Sequence, residues 1–173
     1  MKRTRLHFLG ITPFLCVIVA GCATGKIYYR SVPEVQKCRN EYYEASIRPD
    51  LLGSEGWEAF KLTIISKTAK TLELDWNRTF FISNGKTKAT FMFRGVVHKD
   101  RNKPKPPDVI FPGVTLSKYI WPNKLVYFSS YPKRGWYHRG MGAGEFGILL
   151  SVKVRGTEVK EKMLMTLVRQ KQE

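Results

Sequence analysis

Three observations predict an all-β chain built as two packed antiparallel sheets of about seven to nine strands in total. Apolar and polar residues alternate in short runs, Gly, Pro and Asn punctuate the chain every few positions, and no 3.6-residue apolar stripe reaches helical length. A small β-barrel is the alternative, because counting strands does not separate a closed sheet from two packed ones.

Ile27-Tyr28-Tyr29 reads as an edge strand, and Pro33 to Asn40 is the best place for a helical turn. Glu41 to Ile47 is a strand that enters a turn at Arg48-Pro49-Asp50. Phe60, Leu62 and Ile64 alternate with Lys61 and Thr63, as a strand with one buried face requires. Leu72, Leu74 and Trp76 repeat this pattern opposite Glu73 and Asp75. Asn84-Gly85 supplies two residues that accept the positive φ of a type I′ turn, so Leu72 to Ile82 should pair with Thr87 to Val97, with Ala89, Phe91 and Phe93 on one face.

From Lys99 to Pro107 three prolines lack ladder donors, which leaves a polar, semi-extended loop carrying Lys99, Arg101, Lys103 and Lys105 into solvent. Val109-Ile110-Phe111 runs into a Pro112-Gly113 turn, and Leu116 to Trp121 is a strand ended by Pro122. Leu125 to Phe128 is a further short strand, and Ser129 to Glu145 a long aromatic, basic and glycine-rich loop. Phe146 to Arg155 and Val159 to Arg169 flank Gly156-Thr157 as a terminal hairpin. The Phe-Leu-Ile alternation, the Asn-Gly turn and Ile110-Phe111-Pro112-Gly113 are similar to extracytoplasmic immunoglobulin-like modules of bacterial lipoproteins, a resemblance that implies an immunoglobulin-like β-sandwich.

The beginning of the chain points the same way. Lys2, Arg3 and Arg5 precede an apolar run from Phe8 to Ala20, interrupted only by Gly10, Thr12 and Pro13 and closed by Val19-Ala20-Gly21-Cys22. This run falls short of the roughly 20 residues needed to span a bilayer and reads as an export signal. With its flanks, the closing tetrapeptide resembles the lipobox of bacterial lipoproteins. The resemblance implies that the Cys22 thiol receives a diacylglyceryl group, that the signal is cut before it, and that the new amine is acylated. Residues 1–21 would then be a cleaved signal peptide, 22–26 a lipidated tether and 27–173 a single β-sandwich domain. Ala23 in place of Asp after the cysteine implies outer-membrane sorting, facing the periplasm, rather than residence in the inner membrane.

Removing 21 of 173 residues leaves 152, enough for one domain with its own core. Three of the 30 cations leave with the signal, so 27 cations face 14 acids, a net charge of +13. Such an excess attracts phospholipid headgroups, anionic glycolipid, wall polymers or an acidic protein, and nucleic acid is not an expected partner in the envelope. Acids interleave with the cations along most of the chain, so part of this charge simply keeps the domain soluble. Cys38 is the only cysteine left in the domain, which precludes an intramolecular disulfide and suits a small buried hydrophobe.

Signs of catalysis are absent. His98 and His138 stand far apart in sequence with no Cys or His at ligand spacing, so no metal is expected, and no cofactor either. Gly142, Gly144 and Gly147 match the dinucleotide G-x-G-x-x-G spacing, but a β run follows where the fingerprint needs a helix. Asn77-Arg78-Thr79 has glycosylation spacing beside a Trp76 expected in the core. No G-x-S-x-G elbow occurs, and Glu41, Glu44, Glu55 and Glu58 are as well explained as solvated strand ends as by a hydrolytic carboxylate pair. The chain is therefore expected not to be an enzyme.

The binding residues expected from the sequence are Tyr131, Lys133, Arg134, Trp136, Tyr137, His138 and Arg139, together with the flanking Tyr127 and Phe128. Flat aromatic faces beside cations suit sugars, lipid interfaces or acidic surfaces, and a loop on a rigid sandwich is a common place for recognition. The competing expectation is that Trp136 and Tyr137 fold back to cap the core and leave the cations in water. The resulting functional expectation is a non-enzymatic, lipid-anchored envelope protein that binds another envelope protein or an anionic glycan. The alternative is a structural or assembly accessory of a secretion or surface-appendage machine.

Overall fold

The computed structural model describes residues 27–50 and 57–171. Cys22, with its lipobox and tether, lies outside the described residues, as does Glu55. Among the described residues fourteen strands run in chain order: β1 (Ile27–Val32), β2 (Gln36–Arg39), β3 (Tyr43–Asp50), β4 (Ala59–Ser66), β5 (Leu72–Leu74), β6 (Phe80–Ser83) and β7 (Lys86–Ala89), then β8 (Phe91–Phe93), β9 (Asp108–Ile110), β10 (Thr115–Pro122), β11 (Val126–Ser129), β12 (Gly135–His138), β13 (Gly144–Val154) and β14 (Thr157–Lys171).

One sheet runs β1-β14-β13-β5-β9, with β6 also on β13 and β7 on β6; the second runs β2-β3-β4-β10-β8; β11 and β12 form a separate two-stranded ribbon. Every pairing is antiparallel, and no sheet closes on itself, so the fold is a β-sandwich and not a barrel. One hydrophobic cluster lies between the sheets, drawn from Tyr43, Ile47, Phe60, Leu62, Ile64 and Ile120 on one side and Leu72, Leu74, Ile148, Leu150, Val152 and Met163 on the other. The alternation of β4 is what places Phe60, Leu62 and Ile64 inward at full burial while Lys61 and Thr63 reach the surface.

The strands outnumber the expected seven to nine because several long apolar runs break. Leu72 to Ile82 is interrupted by a turn in which Asp75 Oδ1 accepts the Asn77 N–H at 3.0 Å and the Asp75 carbonyl accepts the Arg78 N–H at 3.2 Å. That turn drops Trp76 into the core and lets β5 pair with β13 and β9 instead of with the strand after Asn84-Gly85. The expected turn does form, with φ of 50° at Asn84 and 73° at Gly85, but it joins only β6 to β7. Beyond Ala89 the chain crosses to the other sheet, where β8 pairs with β10.

Three further expectations are corrected. Pro33 to Asn40 is not a helical turn: β2 pairs with β3 from Gln36↔Ile47 to Arg39↔Glu44. Its half-buried Gln36 and Cys38 alternate with exposed Lys37 and Arg39, a period of two that suits a sheet. Asn40 Oδ1 closes the β2–β3 connection by accepting the N–H groups of Tyr42 and Tyr43 at 2.9 and 3.0 Å. Arg48-Pro49-Asp50 stays in β3, and Pro49 is tolerated because β2 stops opposite Ile47, which leaves the proline on an edge needing no donor on that side. Finally, part of the loop from Ser129 to Glu145 is strand, since Gly135 to His138 forms β12.

The loop between β8 and β9 is less solvated than expected. Lys105 is buried, its ammonium donating to the Arg101 and Lys103 carbonyls at 2.8 and 3.2 Å, and burial lowers its pKa. Asn77 pins the same loop: its amide donates to the Lys105 carbonyl at 2.8 Å and its Oδ1 accepts the Lys105 N–H at 2.9 Å. The Asn of the glycosylation-like triplet thus has a structural task. In the dinucleotide-like glycine triplet, Gly147 sits inside β13, where a Cβ would overlap the Met163 carbonyl oxygen of β14. Close approach of two strands explains that glycine without any phosphate.

Candidate functional site

The β11–β12 ribbon projects from the sandwich in register Val126↔His138, Tyr127↔Tyr137, Phe128↔Trp136 and Ser129↔Gly135. Side-chain alternation gives it two unlike faces. Phe128, Trp136 and His138 share one face with the buried Val126, and Phe128 meets Trp136 edge-on with ring centroids 5.4 Å apart. On the other face Tyr127 and Tyr137 stack at 5.9 Å, and the Arg139 guanidinium lies 5.6 Å from the Tyr127 ring.

The Trp136 face continues into the body of the protein as a stack of flat groups. Trp121 of β10 stacks on His138 at 5.6 Å, His138 on His98 at 6.0 Å, and His98 on Trp136 at 5.2 Å. His98 comes from a single 3₁₀ turn, His98–Asp100, and Arg101 directly after it sits 4.9 Å from the Trp136 ring while donating to the His98 carbonyl at 3.3 Å. Sequence separation hid this neighbourhood: the two histidines that stand far apart in the chain are adjacent in space, and Trp121, His98 and Arg101 join a site read only from residues 127–139. No local signal marks them, because their meeting depends on how β10 and the 3₁₀ turn pack against the ribbon.

The residues expected to bind divide accordingly. Trp136 and His138 are half-buried in the stack, where Trp136 meets His98, Phe128 and Arg101. Tyr137 lies on the opposite face, its hydroxyl donating to the Lys133 carbonyl at 2.6 Å. Tyr131, Lys133 and Arg134 occupy the exposed tip, where Tyr131 is 84% exposed and Arg134 lies 5.8 Å from the Phe128 ring. The seven residues therefore make a tip and two faces, not one surface.

Electrostatics sharpen the picture at His138. Its Nδ1 lies 3.8 Å from the Glu58 carboxylate, while its Nε2 is buried without a hydrogen-bond partner among the described residues. Burial, and secondarily the neighbouring His98, lower its pKa. A base whose folded pKa lies below its unfolded value binds fewer protons when folded. Its contribution to stability is full above the unfolded value of about 6.5 and is lost as pH falls from there through the folded value. The melting temperature should therefore decline as pH is lowered from 7.5 to 5, and His138→Gln should flatten that decline. Equal slopes in thermal melts of parent and variant would exclude His138 as the cause.

Cys38 is half-buried against the core, and burial followed by the Glu161 carboxylate pushes its thiol up to about 11, which keeps it protonated and unreactive at neutral pH. Among the described residues no three His, Cys, Asp or Glu side chains gather as a metal-ligand set, and no helix is long and apolar enough to cross a membrane. Comparison with protein-family models, curated proteins and solved structures finds no match to this chain.

Proposed function

We propose that this chain is a lipid-anchored protein of the bacterial cell envelope, held by acylated Cys22 at the outer membrane and facing the periplasm. In this reading the sandwich is a non-enzymatic module that binds an envelope protein or an anionic glycan. The observation that carries the binding role is the cation–aromatic ribbon: Arg101 on Trp136, Arg134 on Phe128 and Arg139 on Tyr127, with Lys133 beside them at the tip. Stacking fixes where each guanidinium points but neutralises none of its charge, so the cations stay available to an acidic partner.

Two experiments test the two halves of the proposal. A single acyl chain holds a protein only marginally, so anchoring needs the multiple chains of a lipoprotein, and Cys22→Ser should abolish metabolic labelling with fatty acid. Undiminished labelling would refute the anchor. Lys133, Arg134 and Arg139 changed together to Ala should cost at most about 2 kcal/mol of stability, since exposed cation–π contacts contribute roughly 0.5–1 kcal/mol each. Retention on isolated envelopes should nevertheless fall, and the parent's retention should weaken with added salt. If the triple variant is retained like the parent, and cross-linking in cells yields one stoichiometric complex, the assembly-accessory role replaces this one.

A further inference from the structure

A groove of about 440 Å³ opens beside the aromatic stack, lined by Lys88 of β7, Thr90, Arg101, Asn102, Asn123 and Lys124. Three cations reach it from three separate chain segments, and no carboxylate is among its lining residues. Lys88, Arg101 and Lys124 form no salt bridge with any described residue, so no carboxylate offsets their charge within the groove. Like charges gathered without counter-charge repel one another, and a bound anion removes that cost.

The groove is also built and held. Asn123 is 6% exposed, and its amide nitrogen donates to Thr90 Oγ1 at 2.7 Å, to the Arg101 carbonyl at 2.8 Å and to Asn102 Oδ1 at 3.3 Å. Its own N–H donates to the Thr90 carbonyl at 3.0 Å. One buried side chain thus ties together the segments that carry the cations. The buried Lys105 ammonium grips the Arg101 carbonyl from the other side, and the Trp136 ring steadies the Arg101 guanidinium. A guanidinium held in this way binds an anion without first losing its own freedom, while Lys88 and Lys124 add charge from exposed positions on the rim.

We infer that this groove is a subsite for the phosphate or carboxylate of an anionic saccharide, with Lys88, Arg101 and Lys124 as its charge-bearing contacts. The inference rests on the reading of the chain as a binding module and adds the chemistry of its ligand. The volume lies within the roughly 300–1,000 Å³ of small-molecule sites and suits one or two sugar units. The hydroxyl and amides of Thr90, Asn102 and Asn123 match a ligand rich in hydroxyl groups. Ala89 and Val126 complete the wall, which offers little apolar surface to an acyl chain.

The full-length protein in detergent should be titrated calorimetrically with trigalacturonate, glucose 1-phosphate, glucose and inorganic phosphate, and tested for sedimentation with phosphatidylglycerol vesicles. Both anionic sugars should bind, glucose should not, and inorganic phosphate should compete poorly. Lys88→Gln with Lys124→Gln, both exposed positions, should weaken sugar binding about tenfold or more at an unchanged melting temperature. Lys88→Arg with Lys124→Arg should retain it. Absence of sugar binding by the parent, equal binding by the glutamine variant, displacement by equimolar inorganic phosphate, or binding to vesicles alone would each overturn the subsite. If the subsite fails while the Lys133, Arg134 and Arg139 triple variant still loses envelope retention, the binding role stands without it.

Discussion

Gly147→Ala is expected to lower the melting temperature by roughly 6–12 °C, the equivalent of about 3 kcal/mol for a domain of this size. The cause is a clash with main chain. A Cβ at position 147 meets not only the Met163 carbonyl oxygen but also Leu164 Cα at 2.9 Å, and Gly147↔Leu164 is a register pair near the centre of the β13–β14 ladder. A flexible side chain could rotate aside, but here relief requires the two longest strands to part and give up hydrogen bonds on both sides of the glycine. Gly85→Ala serves as a control, since no atom lies within 4 Å of a Cβ built at that turn glycine and only its positive φ resists substitution. Equal melting temperatures for parent and Gly147→Ala would show that β13 and β14 do not approach this closely.

Trp76→Ala should cost about 3–5 kcal/mol in urea unfolding, the range found when a large aromatic is deleted from a core. Trp76 is fully buried and lies 4.5 Å from the Phe93 ring, so its removal leaves a void lined by both sheets. A polar penalty adds to the void. Its indole N–H donates to Asp108 Oδ2 at 3.1 Å, and the same carboxylate pairs with Lys118, whose ammonium lies 4.3 Å from the Phe93 ring. Trp76→Phe retains most of the ring but not the donor, and should fall between parent and alanine variant. If phenylalanine is as costly as alanine, the hydrogen bond to Asp108 outweighs the packing.

These two residues show what the sequence does and does not reveal. Leu72 and Leu74 are buried as alternation requires, because it is a local property that survives folding, whereas Trp76, two residues after Leu74, reaches the core from the turn that ends the strand. The pairing partners of the same segment are not legible in it, since alternation says nothing about which strand lies alongside, and an Asx turn at Asp75 redirects the chain. Asn84-Gly85 was legible for a related reason: positive φ is demanded locally and few residues meet it. How far the resulting hairpin extends depends on the crossing of Phe91–Phe93 to the other sheet, which is a long-range choice.

The candidate site divides along the same line. Its tip was visible as a cluster of aromatic and basic residues in one stretch of chain. Its depth was not. His98 and Trp121 enter by packing of distant segments, and the groove beside them needs Lys88, Arg101 and Lys124, which no spacing rule connects. Lys105 is instructive as well, since a lysine between two prolines in a charged loop gives every compositional sign of exposure and yet is buried among backbone carbonyls.

The ladder between β1 and β14 has a kinetic consequence. It aligns Ile27–Val32 with Thr166–Lys171, so the first and last described strands are neighbours in the finished sheet. A chain emerging from its N-terminus offers β1 no partner until nearly every other described residue has appeared. Pairings of such long sequence separation fold slowly, on the order of milliseconds to seconds, because loop entropy is lost before any contact compensates.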